Sequence, residues 1–246
     1  MKKKNRHTRK LLLMSALGAL LAMQSIPGAR IALAADAPPA PAKQAQGDLA
    51  PLPLQLPMPT QKGTPDNLPT GPNIEKLSDQ PRPPFMAPKG VKNVALQKKV
   101  VGSDKNPITG TLDQVTDGQK EAFDDQVVEM RKGPQYVQID LGGVNAIYAI
   151  VIWHDHRWVQ VFRDVVVQTA DDPDFTQNVR ALFNNDMDNS SGLGVGTERE
   201  YFETKEGKLI DAKGVKARYL RCYTKGSNMS AINCCQEIEV YGLPAQ

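Results

Sequence analysis

Between residues 91 and 242 the apolar positions come in short bursts, and none keeps a helical spacing for more than a turn or two. Over residues 135–141 they alternate, with Val137, Ile139 and Leu141 facing one way and Tyr136, Gln138 and Asp140 the other. That pattern predicts a half-buried strand ending at Gly142-Gly143. Residues 147–152 and 165–169 are β-branched runs of single-strand length, and they predict two central strands. Further short strands are predicted at 93–96, 99–101, 179–183, 200–204, 208–211, 217–223 and 237–241. Turn signals separate them: Asn106-Pro107, Gly110, Asp117-Gly118, a polar Gly-rich loop over 184–196, and the stretch DDPDF, which is expected to tuck Phe175 under the sheet. Many short strands punctuated in this way define an all-β sandwich or barrel.

The N-terminal part reads differently. Residues 1–10 are strongly basic, residues 11–23 are apolar but short for a bilayer, and Ala32-Leu33-Ala34 offers a small-residue cleavage site. Residues 1–34 therefore read as a secretory signal peptide, cut before Ala35, which implies a secreted product with no transmembrane segment after cleavage. No cysteine stands near that site to carry a lipid. Residues 35–89 hold 14 of the 19 prolines and few large apolar side chains, so they are expected to form a disordered linker. Leu52, Leu54, Leu56 and Met58 are the only apolar patch in it. The folded domain is expected over 90–243, long enough for a single core.

Setting the leader aside changes the electrostatic reading. The whole chain carries +3, but all seven basic residues of the leader leave without an acid, leaving 23 basic against 27 acidic residues. No Lys/Arg stripe follows, so nucleic acid is excluded as a partner.

Candidate chemistry concentrates between the two central strands. Both tryptophans and two of the three histidines lie in Trp153, His154, Asp155, His156, Arg157, Trp158. On an extended segment His154 and His156 point the same way and can hydrogen-bond sugar hydroxyls. Trp158 or Trp153 offers a ring face to the C–H face of a pyranose, and Arg157 adds donors. Asn228, in a later loop, completes the candidate ligand-binding set. The alternative is a solvated turn beside a buried Trp153. A His-x-His metal site would need a third ligand from Asp or Cys. Asp186, Asp188 and Ser190 imitate the start of a calcium loop, but Ser191 stands where glycine is needed and Thr197 where the last glutamate belongs, so an Asx-rich turn is expected.

Several stretches together resemble the discoidin family, also called coagulation factor 5/8 type C, within the galactose-binding-like superfamily. They are NVALQK at Asn93, VTDG at Val115, YVQIDLG at Tyr136, VVVQTADDPDF at Val165, ARYLRCYTKGS at Ala217 and EIEVYG at Glu237. FNNDMDNSSG with ARYLRCY is similar to a bacterial branch found in exported proteins. The resemblance implies a jelly-roll β-sandwich and a non-catalytic role. It implies binding of carbohydrate through loops at one end, with phospholipid head groups or proteins as ligands in some members. Protein interaction, assembly or surface adhesion through the same loops is the alternative, the partner then being another exported protein. It also implies a structural calcium ion where Asp117 meets Glu237, although Gln119, Lys120, Glu121, Ala122 and Phe123 depart from the family pattern there. No cofactor is required.

Cys222, Cys234 and Cys235 leave pairing open. Cys222 can bridge to Cys234 or Cys235, or pack as a free thiol in the core, and one cysteine is left over in any case. No nucleophile-and-base motif is present, and catalysis is not expected.

Overall fold

A computed structural model describes residues 48–60 and 67–245. The expected signal peptide, and residues 35–47 and 61–66 of the expected linker, lie outside the described residues. In chain order the strands are β1 (Leu49–Pro51), β2 (Met86–Pro88), β3 (Lys92–Asn93), β4 (Val100–Gly102), β5 (Val128–Met130), β6 (Gln135–Trp153), β7 (Val161–Phe162), β8 (Val166–Ala170), β9 (Arg180–Asn184), β10 (Tyr201–Phe202), β11 (Lys208–Thr224), β12 (Asn233–Cys235) and β13 (Glu237–Pro244), with a 3-10 helix at Leu112–Thr116. Pairing between these strands is antiparallel throughout. The fold is the all-β sandwich that the hydrophobic pattern predicts.

Two long strands organise it. β6 and β11, of 19 and 17 residues, each serve two halves of the main sheet. One half runs β4-β6-β11-β8-β9 and the other β3-β13-β6-β11. The change of half falls where the β6/β11 register slips between Ala217 and Tyr219, opposite residues 140–145 of β6; a second slip, between Asp211 and Val215, lies within the β13 half. Such bulges bend a strand without ending it. The strand predicted to stop at Gly142-Gly143 therefore continues into the next apolar run, helped by the Gly142 N–H donating to Asp140 Oδ1 at 2.9 Å.

Val137, Ile139 and Leu141 point inward, as their alternation predicts, and meet Ile147, Ile150, Ile152, Leu220, Ile238 and Val240 in one core. The short pairs β5–β12 and β7–β10 add Val128, Met130, Cys235, Phe162 and Tyr201 to it. Phe175 is not under the sheet. Its ring lies 3.9 Å from the Arg221 guanidinium on the outer face, which also covers Tyr136 at 4.4 Å. The guanidinium is itself fixed by Gln138 Oε1 and the Pro173 carbonyl, so the cation–π stack wins over burial in the core.

The Pro-rich segment departs most from expectation. Over 48–60 and 67–89 it is not a disordered tether but a strap laid on the sheet. β1 pairs with β2 from Leu49↔Pro88 to Pro51↔Met86, and the Leu52 N–H donates to the Phe85 carbonyl at 2.8 Å. Leu52, Leu54 and Phe85 then cover Ala149, Val151, Trp153, Tyr241 and Leu209. The reason lies in β6. Its run AIVIW is apolar at every position, so Ile150 and Ile152 fill the main core while Ala149, Val151 and Trp153 present a second apolar face that must also be covered. Prolines suit this cover, because a chain lying across a face has no ladder to donate to. Arg82 anchors it by donating to the Glu206 and Gly207 carbonyls, both at 2.9 Å, and Lys208 pairs with Glu75. The ordered chain thus begins well before residue 90.

Gly207 shows how closely Trp153 is enclosed. Its φ is +63°, and an added Cβ would lie 2.8 Å from the indole and 2.9 Å from the Ile152 carbonyl oxygen. Gly207→Ala is expected to cost about 2–3 kcal/mol, read as a lowered midpoint in thermal or urea unfolding.

Candidate functional site

Where β6 ends at Trp153, residues 154–160 turn back toward β7, and two further loops close around them. The Val161 N–H donates to Asn228 Oδ1 at 2.7 Å, and the Asn228 N–H donates to the Val161 carbonyl at 3.0 Å. Ser227 Oγ donates to Gln160 Oε1 at 2.7 Å, while Gln160 Nε2 donates to the Asp155 carbonyl at 2.8 Å. Arg157 Nε and Nη2 donate to the two Asp155 oxygens at 2.8 Å each, and its Nη1 pairs with Asp124. Loops 117–127, 154–160 and 225–232 are thereby fastened into one rim.

The rim does not use the predicted residues in the predicted way. His154 is buried, its ring stacked 4.0 Å from that of Phe162. Nδ1 donates to the Cys234 carbonyl at 2.8 Å and Nε2 accepts the Tyr201 hydroxyl at 2.9 Å. Burial pushes its pKa down to about 4, so it is a neutral core group out of reach of any ligand. His156 is also buried, and faces a different way because the chain leaves the extended conformation after Trp153. Its Nε2 donates to the Lys120 carbonyl at 2.8 Å and its Nδ1 accepts the Thr60 hydroxyl of the strap at 3.1 Å. The shared face expected of the two histidines is absent. Arg157 is committed to Asp155 and Asp124, with 12% of its side chain exposed. Asn228 is exposed, but its carbonyl oxygen is taken by Val161. Trp158, 43% exposed, is the member of the set that offers a broad surface.

Two residues that the sequence did not single out accompany it. Phe123 and Met229 are 58% and 60% exposed, on the loops tied to Arg157 and Val161. One apolar residue in a polar turn carries no periodic signal, and only the joining of the loops places the three on one rim.

Beside the rim, Glu237 is fully buried, and neither carboxylate oxygen has a hydrogen-bond partner among the described residues. Burial raises its pKa to about 9, with the charges of Glu239 and Asp117 adding to the shift. The nearby Gly118 N–H opposes the shift without meeting hydrogen-bond geometry. Asp117 is raised as well, again by burial, although its Oδ1 accepts the Gln119 N–H at 2.7 Å. Gln126 Oε1 and Gln236 Oε1 are also buried without partners. Neighbouring Glu239, in contrast, is satisfied by Lys120 and Tyr241, each at 2.7 Å. A region rich in oxygen and poor in donors fits a hard cation, which Glu237 and Asp117 would hold together with carbonyl oxygens.

Among the described residues, the group of three acidic side chains whose ligand atoms lie within 4.8 Å of one another is elsewhere, at Asp164, Asp186 and Asp188. There Asp186 already accepts the N–H groups of Ser190 and Ser191, at 2.9 and 2.8 Å, the Asx-rich turn read from the sequence. The cysteines form no bridge. Cys222 and Cys235 are free thiols in the main core, and Cys234 packs separately with Ala122 and Val127. Burial pushes the Cys222 and Cys234 thiols up to about 12, so they are unreactive. Among the described residues no helix is long and apolar enough to cross a membrane.

No protein-family model matches the sequence, and no curated protein does. Solved structures similar to it include a fucose-binding module from Streptococcus pneumoniae, at 18% identity and TM-score 0.43, covering 61% of this chain and 97% of that one. Chitosan-binding module 1 from a Paenibacillus sp. IK-5 chitosanase/glucanase gives 15%, 0.44, 61% and 99% for the same quantities. A family 89 glycoside hydrolase from Clostridium perfringens is 17% identical with TM-score 0.46 over 62% of this chain, which spans only 15% of the hydrolase. With TM-scores below 0.5, these likenesses say nothing of ligand or site in this chain.

Proposed function

We propose that the protein is an exported, non-catalytic module that binds carbohydrate on the rim made by loops 117–127, 154–160 and 225–232. The observation that carries this is Trp158, a half-exposed indole on a loop whose neighbours are tied down on both sides. An aromatic ring held still gives a pyranose a flat apolar partner with little ordering cost on binding. Phe123 and Met229 extend the platform, and Arg157, fixed by two carboxylates, borders it. The discoidin-like motifs of the sequence support the same class of ligand, bound through loops at one end of a sandwich. A calcium ion at Glu237 and Asp117 would brace loop 117–127 and take no part in chemistry.

The test is an array of immobilised saccharides, read with and without chelator. Trp158→Ala is expected to lose binding by tenfold or more while its melting temperature stays within about 2 °C of the parent, a surface change having little effect on stability. A folded parent protein that retains no saccharide at high density would sink the reading. Three exposed apolar side chains on one rim also suit a protein partner, and co-purification unaffected by free sugar would favour that second reading.

A further inference from the structure

We propose that the Pro-rich strap is a working part of the rim, with Thr60 and His156 as the positioning residues for the loop that carries Trp158. The buried His156 ring is satisfied by two segments that are distant in sequence and both outside its own loop: Thr60 of the strap on Nδ1, and Lys120 of loop 117–127 on Nε2. The bonds from Gln160, Ser227 and Asn228 fix the far side of loop 154–160. On the near side, Arg157 pairs with Asp124, and His156, two residues before Trp158, is the tie to the strap. Thr60 can act as a fixed point because the strap is itself seated, by Leu52, Leu54 and Phe85 on the sheet face and by Arg82 on the Glu206 and Gly207 carbonyls. Without the hydroxyl, a buried ring nitrogen has no partner and the loop loses its hold on the strap. Only the effect on ligand rests on the carbohydrate reading; the mechanical link does not.

The experiment uses the full chain with Thr60→Val, which keeps shape and removes the hydroxyl, and Thr60→Ser, which keeps the hydroxyl. Amide exchange is followed across the chain, and acrylamide quenching reports on Trp158, since Trp153 is fully buried. Thr60→Val is expected to speed exchange within 154–160 about fivefold or more and to raise quenching, with β8 and β11 unchanged. Thr60→Ser should restore both. Exchange at 154–160 equal to the parent, or equal acceleration throughout the sheet, would overturn the proposal. Binding to the saccharide array is read on the same samples, and Thr60→Val that loosens the loop yet binds as the parent does would overturn the positioning role. If the parent binds no saccharide, the carbohydrate reading falls and loop exchange alone decides the link to the strap.

Discussion

A chain shortened to residues 90–246 is expected to melt about 10–20 °C below the full protein, or to aggregate as it is made. Leu52, Leu54 and Phe85 of the strap pack on the face made by Ala149, Val151, Trp153 and Tyr241. Seating Leu52, Leu54 and Phe85 contributes about 1.5–2 kcal/mol each, so their removal costs about 5 kcal/mol even before the Arg82 hydrogen bonds are counted. At about 2–4 °C per kcal/mol for a chain of this size, the loss falls in the range given. The same face would become an exposed apolar patch, which is an aggregation hazard in its own right. A finer test keeps the full length. Leu54→Asp should cost about 2–3 kcal/mol, whereas Leu56→Asp, at a residue already 45% exposed, should cost little. Equal melting of the 90–246 fragment and the full chain would show that the strap only rests on the sheet.

In chelator, stability is expected to fall as pH rises from about 5 to 8, and calcium is expected to reverse the fall. Glu237 gives this sign, as does Glu203, whose buried carboxyl is raised in the same direction, and calcium acts on the Glu237 part. The Glu237 carboxyl has an ordinary value of 4.5 when unfolded and about 9 in the native protein. Between these values the unfolded chain has released a proton that the native chain keeps, so each step up in pH favours unfolding. The stability present below pH 4.5 is lost progressively through pH 9. A bound cation lets Glu237 ionise in place and removes the penalty, so calcium should raise the melting temperature at pH 8 by several degrees and hardly at all at pH 5. Glu237→Gln should gain about 2 kcal/mol in chelator at pH 8, the remaining cost being its own unpaired amide. It should also lose the response to calcium. A variant whose melting temperature follows pH and calcium as the parent's does would place the effect elsewhere.

Much of the sandwich was legible because alternation is a local property. Val137, Ile139 and Leu141 declare a buried face within seven residues, and they occupy one. The rim was legible only as a place. Trp158 stands in it exposed, but His154, one position past the strand, is claimed by Tyr201 and Cys234, and no local pattern announces partners 47 and 80 residues away. Composition misled outright over the strap. Prolines predict an absence of ladders, which holds for most of it, and an absence of order does not follow from that. The signal that it docks was present in two places read separately: alternate leucines at 52 and 54, and a strand apolar on both faces at 149–153. Glu237 belongs to the third class, where the sequence suggests a carboxylate pair and only the structure shows that neither oxygen has a hydrogen-bond partner among the described residues.

The docking of the strap also sets an order of events during synthesis. The surface it rests on is assembled from β6, β11 and β13, that is from Ala149, Val151, Trp153, Leu209 and Tyr241. Leu52 and Leu54 emerge from the ribosome roughly a hundred residues ahead of the first of these and nearly two hundred ahead of the last. The part translated early is the part seated late, so a nascent chain carries its own lid unattached until the final strand is in place.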